Sequence, residues 1–190
     1  MPSHATSPFA LVHSDLKELP VLLYHQYKFF ITFLNDFTSY CWVSLLQKKS
    51  NASDVIDSFL RLVKNQYWMT VKEFMTDASS EYKSLELQDK LRKQGIMIRM
   101  SIPHMHQQNG YAEHLNRTLI EKAQALCFTA CLPQNWWEFC VEYAVHVYNQ
   151  TPMHHHNWQT PFEVLKREKP NVSHLRVMGC GAYVFIPEEV

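Results

Sequence analysis

Three strand-like runs precede any helix in this chain, and from there strands and helices alternate; no other feature narrows the choice of fold as far. "FALVHSDL" (9–16) reads as a short apolar strand ending at Asp15. "YKFFITFLND" (27–36) is a second strand, rich in aromatic and β-branched side chains. A turn over Phe37 to Ser39 leads into a third, "YCWVSLLQ" (40–47), and so short a connection makes these two an antiparallel hairpin. Ala52, Val55, Ile56, Phe59, Leu60 and Val63 then recur at helical spacing, with Asn51 the expected N-cap and Asp54 in the first turn. "VKEFMTD" (71–77) is a strand running into Asp77, a charged helical stretch over 82–94 stops at Gly95, and "IMIRM" (96–100) is a fifth strand.

From Gly110 the periodicity is helical. Leu115, Leu119, Ala123, Leu126, Cys127 and Ala130 form one apolar stripe that breaks at Pro133. Trp136, Trp137, Cys140, Val141, Ala144, Val145 and Tyr148 give the next helix a wide apolar face, on which the Trp pair reads as core. Beyond Thr151 a polar connector follows, whose His154 to His156 run reads as a solvated loop. "TPFEVLKREKP" (160–170) then has capping-box form, Thr160 with Glu163 and Pro161 at the first helical position. The strand-like "HLRVMGCGAYVFIP" (174–187) looks separated from its partner. An antiparallel meander followed by alternation predicts an α/β fold, a mixed sheet flanked by helices. Its domain is expected over 1–150, with a C-terminal extension over 151–190.

Charge adds little, because Lys+Arg and Asp+Glu balance at 18 each. Only 83–122 is locally basic, through Lys83, Lys90, Arg92, Lys93, Arg99, Arg117 and Lys122. A hydrophobic content of 46% supplies a core and excludes wholesale disorder. No run reaches membrane-spanning length, so no membrane partner is expected. The N-terminal residues lack a signal-peptide pattern. The five cysteines show no metal-binding spacing and read as reduced core thiols. The N-x-S/T triplets at Asn51, Asn116, Asn149 and Asn171 therefore read as chance matches.

Chemistry in such sheets collects near strand ends. Asp15 and Asp77 fall at expected strand ends, and Glu113 lies just inside a helix that follows the amide-rich "HQQNG". Three gathered carboxylates repel unless a cation joins them. Mg²⁺ or Mn²⁺ suits all-oxygen ligands, and a pair of such ions serves phosphodiester chemistry. The alternative is a solvated glutamate at a helix start, where negative charge is favoured anyway.

"HQQNGYAEHLNRTL" (106–119) resembles the corresponding segment of retroviral-type integrases, specifically those of copia-type retrotransposons. The resemblance continues, in order, through "VHSDL", "FITFLNDFTSYCWVSLLQKKS", "FTACLPQNWWEFCVEYAVHVYNQTP" and "TPFEVLKREKPNVSHLRVMGCGAYVFIP". The 35 residues between Asp77 and Glu113 match the spacing of the family's two-aspartate, one-glutamate triad. It implies a ribonuclease H-like fold with a five-stranded mixed sheet. It implies Asp15, Asp77 and Glu113 as catalytic ligands of two Mg²⁺ or Mn²⁺ ions. The implied reaction is DNA integration: water trims the element's 3′ ends, and the 3′-hydroxyl then attacks target DNA. Residues 101–112 would be a mobile loop beside the metals, with Gln107, Gln108 and Asn109 contacting DNA. Arg117, one turn beyond Glu113, either pairs with it or reaches a phosphate. The family further implies DNA as partner, a homo-dimer or multimer, and the nucleus as location.

The sequence departs from the family pattern at several points. "TDASSEY" places Ala78, Ser79 and Ser80 where an amide and two glycines are usual, and "SDLKELP" has Glu18 and Leu19 in place of Gly-Pro. His104, His106 and His114 replace Tyr, Pro and Arg; the HxH pair reads as loop rather than zinc site. The family's zinc module and long C-terminal region have no counterpart in these residues, so a fragment or eroded copy is expected. The alternative function is a non-catalytic remnant of the fold that binds nucleic acid or a protein partner. A simpler nuclease of the same fold is a third reading.

Overall fold

The computed structural model describes residues 5–19, 22–76, 85–100 and 110–184. Five strands, β1 (Leu11–Glu18), β2 (Phe29–Asn35), β3 (Cys41–Leu46), β4 (Glu73–Thr76) and β5 (Met97–Met100), form one sheet in the order β3-β2-β1-β4-β5. β1, β2 and β3 pair antiparallel, whereas β4 and β5 continue from β1 in parallel. The mixed sheet expected from the element order is therefore present, with β1 at its centre. The helices are α1 (Ala52–Tyr67), α2 (Leu85–Lys93), α3 (Gly110–Thr129), α4 (Trp137–Asn149) and α5 (Pro161–Lys166).

Strand alternation divides the core in two. Phe29, Ile31 and Phe33 of β2 pack with Ile56, Phe59, Leu60 and Val63 of α1 and with Leu87 and Leu91 of α2. The intervening residues face the other side: Phe30 packs beneath Ala123 of α3 and Trp137 and Val141 of α4, and Leu34 beneath Leu115 and Leu119. Because side chains alternate along a strand, β1 sends Val12 and Leu16 toward α1 and leaves His13, Asp15 and Lys17 on the α3 face. His13 Nε2 lies 3.0 Å from Oδ1 of buried Asp36, whose Oδ2 accepts the amide of Ala5 at 2.6 Å.

Several local expectations need correction. β1 does not end at Asp15; antiparallel pairing with β2 carries it on to Glu18, and Asp15 sits opposite Thr32. Asn51 does not cap α1 through its side chain, because a short 3₁₀ turn precedes the helix and Asn51 Oδ1 accepts the amide of Lys48 instead. Trp137 is core, but Trp136, in the 3₁₀ turn before α4, is 43% exposed. Cys41, Cys127 and Cys140 are buried thiols, whereas Cys131 and Cys180 are exposed. The histidine run is not simply solvated: Nε2 of His155 and of His156 lie 3.0 and 2.9 Å from Oγ of buried Ser39, which also contacts the Tyr111 hydroxyl at the start of α3. The triplets at Asn116 and Asn149 cannot serve as surface acceptors, since both asparagines are buried. The capping box of α5 forms as expected, with the Glu163 amide donating to Thr160 Oγ1 and the Thr160 amide to the Glu163 carboxylate.

Residues 174–184 pair with no strand among the described residues. Residues 174–178 lie instead against α4, where the Tyr143 hydroxyl donates to the Arg176 carbonyl at 2.6 Å and Nε2 of His146 lies 3.3 Å from Nε2 of His174. Partial burial, and then His174, lower the pKa of His146 from its ordinary 6.5. The detached state therefore takes up the proton first. The contact is at full strength above the ordinary value and weakens as pH falls through it toward the lowered one. We expect amide exchange in 171–184, corrected for intrinsic rates, to accelerate between about pH 7.5 and about pH 5.5; unchanged protection would contradict the assignment.

Candidate active site

The site begins with the register of β1. Its parallel pairing with β4 ends at Ser14 opposite Thr76, the residues that immediately precede Asp15 and Asp77 in the sequence. Asp15 is 1% exposed, and a carboxylate so buried requires compensation for its charge. Among the described residues, Asn116 and Lys17 contribute to it. Nδ2 of Asn116 donates to Asp15 Oδ2 at 2.8 Å, and Nζ of Lys17 lies 3.2 Å from the same oxygen. Lys17 is two residues along β1 and therefore on the same face.

Asn116 is itself held. Its Oδ1 accepts the hydroxyl of Thr32 at 2.8 Å, and Thr32 stands directly across from Asp15 on β2. A buried chain thus runs from β2 through α3 to β1. It also sets the rotation of α3, because Asn116 follows Glu113 by three positions and shares its helix face. Glu113, Lys17, Asn116, Arg117, Glu121 and Gln124 line one open cleft of about 470 Å³ beside Asp15. Arg117 is exposed in that cleft, and no ion pair joins it to Glu113 among the described residues.

Glu113 and Arg117 thus share one cleft, and buried Asp15 is bonded to two of its lining residues, Lys17 and Asn116. Asp77, Gln107, Gln108, Asn109, His104, His106 and the Ala78–Ser80 departure lie outside the described residues. Among the described residues no three histidine, cysteine or carboxylate side chains converge on one point. Glu113 and Glu121 nonetheless present carboxylate oxygens to the cleft, with the Asp15 carboxylate behind it against the Lys17 ammonium, and carboxylate oxygen is the donor that suits a hard divalent cation.

Asn116, Thr32 and Lys17 were not singled out by sequence reasoning. Asn116 carries a usable signal, a polar residue three positions after Glu113 and between the core residues Leu115 and Leu119. Thr32 shows none beyond being a polar residue flanked by apolar ones in a buried strand. Replacing Asn116 by alanine removes two buried hydrogen bonds and is expected to cost about 1–3 kcal/mol by urea denaturation. In a double-mutant cycle with Thr32→Val the two losses should not add, since Asn116 Oδ1 is the nearer acceptor of the Thr32 hydroxyl, at 2.8 Å against 3.5 Å for the Asp15 carbonyl; additive losses would mean that the two act separately.

A model of the integrase core domain matches residues 5–106. The retrovirus-related Pol polyprotein from transposon RE2 of Arabidopsis thaliana is 29% identical over 182 residues, covering 96% of this chain and 12% of that protein. The corresponding polyprotein from transposon TNT 1-94 of Nicotiana tabacum is 32% identical over 162 residues, covering 85% of this chain and again 12% of the relative. The chain thus spans about an eighth of the length of the curated relatives it matches. Among solved structures, the HTLV-2 integrase catalytic core domain in complex with magnesium (trimeric form) superimposes with a TM-score of 0.64 at 17% identity, covering 84% of this chain and 98% of that one. At that identity the likeness concerns the fold, a ribonuclease H-like five-stranded mixed sheet with flanking helices.

Proposed function

Since this chain belongs to the integrase core domain family, which acts in DNA integration with divalent metals, we propose that it is a catalytic core for 3′-end processing and strand transfer of element DNA. One observation carries the reading: the buried Asp15 carboxylate is held by Asn116, from the helix turn that presents Glu113, and both Asn116 and Glu113 line a cleft with Lys17 and Arg117. Asp15, Asp77 and Glu113 are the proposed ligands. When bound, two Mg²⁺ or Mn²⁺ ions supply the charge that activates the attacking oxygen and stabilises the leaving one.

The chain's own residues do the remaining work. Asn116 and Thr32 keep Asp15 in one rotamer, so little reorganisation is needed when charge develops. Lys17 and Arg117 offer cationic contacts to phosphate oxygens, and Gln107, Gln108 and Asn109 offer amide contacts that position DNA without reading its sequence. A homo-multimer and a nuclear location belong to the same proposal. The reaction is in-line transfer at phosphorus with no covalent enzyme intermediate, so it asks for no nucleophilic serine or cysteine.

The test is incubation of the purified chain with Mg²⁺ or Mn²⁺ and a duplex carrying element ends. Joined products support the integrase reading. Cutting without joining points to a nuclease of the same fold. DNA binding without either reaction, at saturating metal, replaces the proposal with the non-catalytic reading, which the "TDASSEY" and "SDLKELP" departures favour.

A further inference from the structure

We infer that Lys17 is a built-in counter-ion that competes with divalent metal for Asp15 and yields when a polyanion takes over its charge, so that metal and DNA bind this site cooperatively. The inference rests on the proposed metal-dependent site. Lys17 lies between Asp15 and the Glu18-Leu19 departure in "SDLKELP", and the inference is drawn from this chain's own ion pair.

Three observations combine. Nζ of Lys17 is 3.2 Å from Oδ2 of Asp15, a carboxylate whose side chain is 2% exposed, while the Lys17 side chain is 42% exposed. The partners are therefore unlike: the carboxylate is fixed in the sheet, and the ammonium reaches it from solvent on a flexible stem. Second, Asp15 does not depend on Lys17 for its placement, because Asn116 holds the same oxygen and is anchored by Thr32. The lysine can leave without the carboxylate moving. Third, Lys17 lines the cleft that contains Glu113 and Arg117, so an ammonium that leaves Asp15 remains where DNA phosphate would run.

An ammonium and a divalent cation on one carboxylate repel each other at such close range. Metal entering alone must displace Lys17 into water. Metal entering with DNA displaces it onto phosphate, which offers a charged partner. DNA then raises metal affinity, and by linkage metal raises DNA affinity by the same factor. The device would keep the Asp15 charge paired until substrate is present.

The experiment is Mn²⁺ binding to the whole chain by calorimetry, with and without a short DNA duplex, for the native chain, Lys17→Met and Lys17→Gln. Two uncharged variants guard against one that misfolds. Without DNA, both should bind Mn²⁺ on the order of tenfold more tightly than the native chain, and DNA should tighten Mn²⁺ binding about tenfold for the native chain but hardly for the variants. Lys17→Arg, which keeps the charge, should retain the weaker binding. A second readout needs no DNA: both uncharged variants should melt lower than the native chain in chelator, and recover more on adding Mn²⁺. Equal Mn²⁺ affinity in native and uncharged chains, or equal enhancement by DNA, overturns the role of Lys17 while leaving the metal site intact. Absence of Mn²⁺ binding in every chain, with DNA present, overturns the metal-dependent function together with it.

Discussion

Asp15→Asn is expected to yield a folded protein that has lost DNA cleavage and joining by at least about 10²–10³-fold, the scale on which removing one preorganised electrostatic group acts. The substitution keeps size and shape. An asparagine oxygen can still accept the Asn116 amide, now at 2.8 Å from Oδ2, so the link to α3 and Thr32 is preserved. What disappears is the negative charge, and with it the ion pair with Lys17 and most of the affinity for a hard cation. Stability should change little, because the lost ion pair involves a lysine that is 42% exposed and water screens such pairs. A melting-temperature change within about 4 °C of the native chain is expected, equivalent to roughly 1 kcal/mol for a chain of this size. Activity assays and thermal melts on one preparation separate the two effects. Joining at native rate by the variant would remove Asp15 from the chemistry.

The second large effect is on stability. Phe33 is fully buried, and its ring stacks on Phe59 of α1 with centroids 4.2 Å apart and planes inclined by 2°. Phe74 of β4 lies 6.2 Å away. Phe33→Ala leaves a cavity beneath α1 that the sheet cannot collapse to fill, and should cost about 3–5 kcal/mol. That is a large share of the roughly 5–15 kcal/mol typical of a folded domain, and corresponds to a fall in melting temperature of roughly 6–20 °C. Phe128→Ala is the matched control, since this phenylalanine of α3 is 82% exposed and should shift stability by less than about 0.5 kcal/mol. Similar shifts for the two variants would mean that the α1 face is not the main core. The effect reaches the site as well: Phe33 adjoins Thr32 on β2, so loosening one side of that strand loosens the anchor of Asn116 on the other.

How much of this was legible in the sequence differs from residue to residue. The β2–β3 hairpin was readable because its partners are separated by a few residues, and the five-strand, helix-flanked order was readable because period 2 and period 3.6 are local signals. The Thr160–Glu163 capping box spans three positions and formed as expected. The Asn51 cap failed because a 3₁₀ turn competed for the same backbone. Strand termini were less legible, and Asp15 shows why. Nothing local to "SDLKE" says that β1 continues past the aspartate; pairing with β2, across a separation of up to 23 residues between register partners, decides it.

By itself the sequence determined the order and type of the elements, the mixed sheet flanked by helices and, through resemblance, which carboxylates to suspect. The tertiary structure alone decided that Asp15 lies mid-strand opposite Thr32, that Asn116 closes the gap between β1 and α3 from 101 residues away, and that Lys17 rests on Asp15. The physical reason is range. Periodicity and capping are paid for within one or two turns of chain, whereas a buried polar chain exists only after strand register and helix rotation have brought its members within hydrogen-bonding distance.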